Sequence, residues 1–213
     1  MAQIVPCVTA ADAHAYREQM ARVAPFAKRV HIDFSDGQFS PVKMINPVQA
    51  YWPEGIVADL HLMLKDPTVH LETVVSLNPQ LVIVHAESQG NLTSMILQLR
   101  ALGIRTGVAL LQQTPPQAAH QIIAEADHVL IFSGDLGHFG GMADLDLLKK
   151  VAQIKAINPT AEIGWDGGVN ADNAAQLALG GIDVLNAGGF IQRAEDPKAA
   201  FNQLKELGAR SQD

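Results

Sequence analysis

Short runs rich in valine, isoleucine and leucine alternate along this chain with longer segments in which apolar residues recur every three or four positions. The runs fall at 4–8, 29–34, 56–63, 81–85, 105–111, 128–132, 162–166 and 184–187. Each is short and apolar enough to be buried on both faces, the mark of a parallel strand. The intervening segments carry helix punctuation. Asp66 and Pro67 supply an N-cap and a first-turn proline ahead of Val69, Val74 and Val75. Leu92, Met95, Ile96, Leu99 and Leu102 fall at helical spacing, as do Leu147, Leu148, Val151 and Ile154. Asn170 is placed to cap a segment that Gly180 and Gly181 stop. Asp196 and Pro197 open a last helix with Phe201, Leu204 and Leu207 on one stripe and Gly208 after it. Residues 47–52 suffice for only one or two turns. Eight strands alternating with helices, at about 25 residues per unit, fit a closed (β/α)8 TIM barrel better than an open doubly wound sheet. No linker or charge run divides residues 1–213, so one domain is expected.

In such a barrel the active site lies at the carboxyl ends of the strands. The first strand ends in Cys7, Val8 and Thr9, the second in His31 and Asp33, the third in His61 and Met63, and the fourth in His85 and Glu87. The seventh ends in Asp166, the eighth in Gly188 and Gly189. Strand alternation puts His31 and Asp33 on one face and Ile32 on the other. Alone, that pair reads equally well as a salt bridge at a strand mouth, with Asp36 and Gly37 forming the turn beyond it. A lone strand histidine such as His61 is more often a satisfied core residue than a ligand. Four such groups, His31, Asp33, His61 and Asp166, at three strand mouths argue instead for one divalent metal: zinc, iron(II), manganese or cobalt. Glycine pairs at Gly140 and Gly141, Gly167 and Gly168, and Gly188 and Gly189 follow the last three strands. Loops there commonly let backbone NH groups approach a phosphate.

Composition narrows the function. The 213 residues are 48% hydrophobic and 17% charged, with a net charge of -7. That acidity and the low aromatic content exclude the basic stripe of a nucleic-acid binder, while backbone NH groups can still hold a phosphorylated small molecule. Cys7 is the only cysteine, which rules out an internal disulfide, and no opening segment reads as a secretion signal. A cytoplasmic protein without a membrane span is expected.

The strand-end motifs, in chain order, resemble those of the ribulose-phosphate 3-epimerase family. HIDFSDGQFSP is similar to the family's HxDxMDGxFxP; DLHLM, VHAE and the FGG loop follow; WDGGVN stands for VDGGVN and AGGFI for AGSAIF. The resemblance implies a ribulose-phosphate-binding barrel that interconverts D-ribulose 5-phosphate and D-xylulose 5-phosphate. It also implies that His31, Asp33, His61 and Asp166 bind the metal, and that Asp33 and Asp166 are the acid/base pair. The phosphate would be held by the glycines of the FGG, DGG and AGG motifs, including Gly140, Gly141, Gly167, Gly168, Gly188 and Gly189. A ketose phosphate is the expected partner and a homo-oligomer the expected assembly.

The chemistry suits those residues independently. Taking a proton from carbon beside a carbonyl needs the enediolate charge stabilised, which a Lewis acid does. Inversion needs a base on one face and an acid on the other, and Asp33 and Asp166 are expected across the barrel from each other. The shell departs from the family pattern. Cys7 replaces a serine in contact with substrate, Ser35 and Phe132 replace methionines so that Met63 alone of that group remains, Gly189 replaces serine, and the SGDLGHFGGM loop is one residue longer. A related substrate such as D-allulose 6-phosphate, or a lapsed epimerase that only binds sugar phosphate, fits the same motifs. A hexulose-phosphate synthase would bring an Asp-x-Lys-x-x-Asp run, which is absent. His85 and Glu87 read as structural, His138 as solvent-exposed, Trp52 and Trp165 as packing residues, and Cys7 as a small buried hydrophobe in preference to a reactive thiol.

Overall fold

In the computed structural model, which describes residues 1–136, 138 and 141–209, eight parallel strands close into a barrel in sequence order. They are β1 Gln3–Val8, β2 Arg29–Ser35, β3 Val57–Met63, β4 Leu81–His85, β5 Arg105–Leu110, β6 His128–Phe132, β7 Glu162–Asp166 and β8 Val184–Ala187. Closure is made by β1 against β8, with Gln3 opposite Val184 and Pro6 opposite Ala187. The strand ends differ from the sequence reading where another partner takes the backbone. Ile56 NH turns to the Pro53 carbonyl, Leu111 NH goes to Glu87 Oε1, and Ser35 stays in the sheet opposite Met63.

The outer layer contains α1 Ala13–Val23, α2 Leu71–Ser76, α3 Leu92–Ala101, α4 His120–Glu125, α5 Lys149–Ile157, α6 Ala174–Leu179, α7 Gly189–Gln192 and α8 Pro197–Gly208. Between β2 and β3 a single 3-10 turn, Pro47–Gln49, replaces a helix. Asp12 caps α1 through the NH groups of His14 and Ala15, and Tyr16, Met20 and Val23 form its buried stripe. Asp66 and Asp196 cap as their sequence positions indicate. Asn170 does not: its Oδ1 accepts from Asp172 NH in a tight turn, and α6 begins four residues later. Leu102 ends α3 exposed at 61%, outside the stripe it was expected to join. Gly208 is the last residue of α8, close against Ala2, whose NH donates to the Gly208 carbonyl at 3.0 Å.

The barrel interior has two polar ends and an apolar waist. The waist is Leu81, Ile83, Ala109 and Leu130, all fully buried. At the amino-terminal end Arg29 donates to Asp59 at 2.8 Å, to Gln3 at 2.9 Å and to Glu162 at 3.0 Å. Arg105 and His128 also reach Glu162, at 3.3 Å and 2.9 Å. A buried guanidinium is tolerated only with such partners, so this network plugs the barrel floor. Burial pushes the Asp59 carboxyl up against the pull of Arg29. Arg29→Met should therefore cost about 3 kcal/mol at neutral pH by stranding that carboxylate. Because a raised folded-state pKa favours folding in acid, the loss should shrink as Asp59 protonates. Urea unfolding at pH 7 and pH 5 reads both effects, and a loss below about 1 kcal/mol at pH 7 would show the network to be dispensable.

Candidate active site

At the opposite end four side chains converge. Register places Asp33 directly opposite His61, and Cys7 opposite His31, on neighbouring strands. His61 Nδ1 lies 2.9 Å from Asp33 Oδ1, and His31 Nε2 lies 3.2 Å from the same oxygen. Asp166 Oδ2 lies 3.7 Å from His61 Nδ1 and 3.8 Å from His31 Nε2. Strands β2 and β7 are three steps apart around the ring, one short of diametrically opposite, and a donor oxygen of each carboxylate lies within 4.8 Å of the other.

The cluster has the properties of a cation site. One donor atom from each of His31, Asp33, His61 and Asp166 lies within 4.8 Å of the others. Both ring nitrogens of His31 are buried without a hydrogen-bond partner among the described residues, a costly arrangement that a metal at Nε2 would relieve for that atom. Two imidazoles and two carboxylates suit a borderline divalent ion.

The two aspartates have opposite electrostatics. Burial alone would raise Asp33, but the imidazoles of His31 and His61 against its oxygen outweigh it and hold the carboxyl well below the usual range. The Thr9 hydroxyl donates to its other oxygen at 2.5 Å. Asp166 is pushed up to about 6, by burial first and by the charge of Asp33 second. One carboxylate is thus held ionised while its neighbour retains a proton into the mildly acidic range.

Behind His61 stands a supporting pair that sequence reasoning left as structural. His61 Nε2 is 2.9 Å from His85 Nε2, and His85 Nδ1 faces Glu87 Oε2 at 3.4 Å. Burial pushes His85 down to about 4, so it stays neutral and can accept a proton bond. If His61 offers its Nδ1 lone pair to a cation, its proton sits on Nε2 and points at His85.

A cavity of about 130 Å³ opens beside the cluster. Cys7, Asp33, Met63, Phe132 and Asp166 line one end, and Gly141, Gly167, Gly168, Gly188 and Gly189 the other. Gly140 and Phe139 of the FGG motif lie outside the described residues. Ser35 does not reach the cavity wall; its hydroxyl accepts from Gly37 NH. Gly167 and Gly168 have positive φ of 110° and 71°, and a Cβ on either would collide with the backbone of Gly134 or Ala143. Part of their role is therefore to let the loop after β6 pack on the loop after β7. Trp165, fully buried, does more than pack: its Nε1 donates to the Gly167 carbonyl at 2.9 Å. Asn173 donates to the Gly168 carbonyl at 2.8 Å. Cys7 is buried and burial raises its thiol, as a small core residue requires. His138 is exposed yet lines the cavity.

The ribulose-phosphate 3 epimerase family model matches residues 3–192. The chain belongs to that family. A ribulose-phosphate 3-epimerase of Helicobacter pylori is 29% identical over 213 residues, covering 96% of this chain and 97% of its own. One from Bacillus subtilis is 28% identical over 215 residues, covering 96% and 99%. Among solved structures, 3-hexulose-6-phosphate synthase from Salmonella typhimurium superposes with a TM-score of 0.73 at 15% identity, covering 96% and 97%. KGPDC from Streptococcus mutans gives 0.68 at 12% identity, covering 98% of this chain and 97% of its own. At such identities the solved structures establish the barrel alone. Among the described residues, no helix is long and apolar enough to cross a membrane.

Sequence reasoning noted Thr9 at a strand end without giving it a role, and passed over Asn186 and Arg193, which line the cavity. Asn186 was accessible as a lone amide in an apolar run, opposite Asp166. Two measurements test the cluster. Divalent-ion affinity should rise as pH climbs through about 6, because a proton on Asp166 weakens that carboxyl as a ligand; a flat profile from about pH 5 to 8 would place the ion elsewhere. His85→Ala should weaken that affinity about 10- to 100-fold in a chelator competition titration, whereas an unchanged value would leave His85 a packing residue.

Proposed function

We propose that this chain is a divalent-cation-dependent 3-epimerase of a ketose phosphate, with D-ribulose 5-phosphate and D-xylulose 5-phosphate as its pair. The reading rests on one observation above all: two buried carboxyls of opposite electrostatics share a His2Asp2 cluster next to a glycine-lined cavity. Family membership and the names of the relatives support it.

His31, Asp33, His61 and Asp166 would hold the cation, which when bound supplies Lewis-acid stabilisation of the charge developing on the sugar oxygens. Asp33, ionised, takes the C3 proton from one face. Asp166, protonated, delivers one to the other, and the pair exchange roles in the reverse direction. The Thr9 hydroxyl and His61 fix the Asp33 carboxylate and limit its rotation. Met63 and Phe132 give the reacting carbon an apolar wall that limits water and strengthens the electrostatics within. Gly141, Gly167, Gly168, Gly188 and Gly189 bring backbone close to the phosphate end.

Wash-in of deuterium at C3 of D-ribulose 5-phosphate in deuterium oxide, with manganese(II) or zinc(II) added, tests this directly. The wild-type protein should exchange C3 and form xylulose 5-phosphate, and Asp166→Asn should lower turnover about 10²- to 10⁴-fold while the fold is retained by circular dichroism. Binding without any exchange would identify a lapsed enzyme. Exchange on D-allulose 6-phosphate in preference would reassign the substrate.

A further inference from the structure

The glycine-lined end of the cavity has an electrostatic problem. Its wall and the adjoining cluster carry the carboxyls of Asp33, Asp135 and Asp166, and Arg193 is the only lysine or arginine among the described lining residues. A phosphate dianion entering an acidic protein of net charge -7 needs a counter-charge that glycine NH dipoles only partly supply.

Arg193 is built to supply it. It follows α7 directly, and its NH donates to the Gly189 carbonyl at 3.1 Å. Helical side chains lean toward the preceding turn, and here the arginine lies back across Gly189. A Cβ at Gly189 would fall 2.5 Å from one guanidinium nitrogen and 2.7 Å from the central carbon and the other nitrogen. Gly189 has no positive φ, so its lack of a side chain answers a demand for space and not for backbone conformation. The space is occupied by the guanidinium. No ion pair among the described residues engages Arg193, which leaves the fork of donors free. The departure from the family's AGS motif to AGG at this position leaves that space to the guanidinium, which a serine Cβ would require to shift from where it lies.

We propose that Arg193 is the cationic anchor for the substrate's phosphate monoester and that Gly189 is the notch through which it reaches the anion. The proposal rests on the sugar-phosphate reading above. In this role Arg193 is a binding residue at the non-reacting end of the substrate, and an interaction made equally in ground and transition states appears in KM.

The test uses the whole protein and two probes. Inorganic phosphate binding, followed by calorimetry, should weaken about 10- to 100-fold in Arg193→Ala, the range of a charge-assisted hydrogen bond, with Arg193→Lys intermediate because it keeps the charge and loses the fork. With D-ribulose 5-phosphate, Arg193→Ala should raise KM by the same factor with kcat within about twofold. Gly189→Ser should weaken phosphate binding in the wild-type background and add nothing in the Arg193→Ala background. Wild-type phosphate affinity in Arg193→Ala, or additive losses in the double variant, would overturn the anchor and leave the epimerase reading intact. Turnover of D-ribulose 5-phosphate without phosphate binding by the wild-type protein would overturn the anchor alone, and absence of both would overturn the epimerase reading with it.

Discussion

The site depends on one unfavourable contact: two carboxyl groups buried at the mouth of a low-dielectric barrel, close enough to feel each other's charge. Asp33 and Asp166 cannot both ionise there without positive charge between them, because burial and mutual repulsion act in the same direction on Asp166. His31 and His61 are set between the two carboxylates, each within 4.0 Å of both. The protein answers the repulsion in two ways. It can leave one proton on Asp166, or it can admit a cation, and the same four donors serve either state. Cation binding and protonation of Asp166 are therefore linked through one cluster.

The barrel's register makes this possible. On β2 and β3 the inward-facing polar residues step from the site to the floor, with Asp33 opposite His61 and His31 opposite Asp59, while on β4 to β6 the interior between the two ends is apolar. The waist of Leu81, Ile83, Ala109 and Leu130 lies between the upper cluster and the floor network on that side of the barrel. Asp59 belongs to the floor although its register partner His31 belongs to the site, so the boundary between the two networks is a single interior step.

The strands and the four cluster residues were legible because short apolar runs set between helical segments, and position at the strand ends, carry them almost alone. What was not legible depended on distance in the fold. Arg29 carried no local sign of its buried network, since nothing near it in sequence shows that Glu162, 133 residues away, closes over it. Asn170 had the right identity for a cap, yet the turn it forms with Asp172 left α6 to start without it. His85 and Glu87 were visible as a motif, but support of His61 is a contact across strands that spacing cannot report. The helix α1 was legible and went unread: Asp12 followed by Tyr16, Met20 and Val23 is a cap and a stripe.

The altered shell and the intact cluster follow different physical rules. Cys7, Phe132 and Gly189 change volume and hydrogen bonding at the cavity wall, where a substitution alters ground-state fit and is tolerated one residue at a time. His31, Asp33, His61 and Asp166 are coupled: removing either carboxylate changes the protonation of the other, and removing either histidine unbalances the pair. A set of mutually dependent charges cannot drift by single steps without passing through a state with an unpaired buried charge. The departures at Cys7, Phe132 and Gly189 accordingly act on the shape of the cavity, while the four coupled side chains are held by the cost of disturbing any one of them.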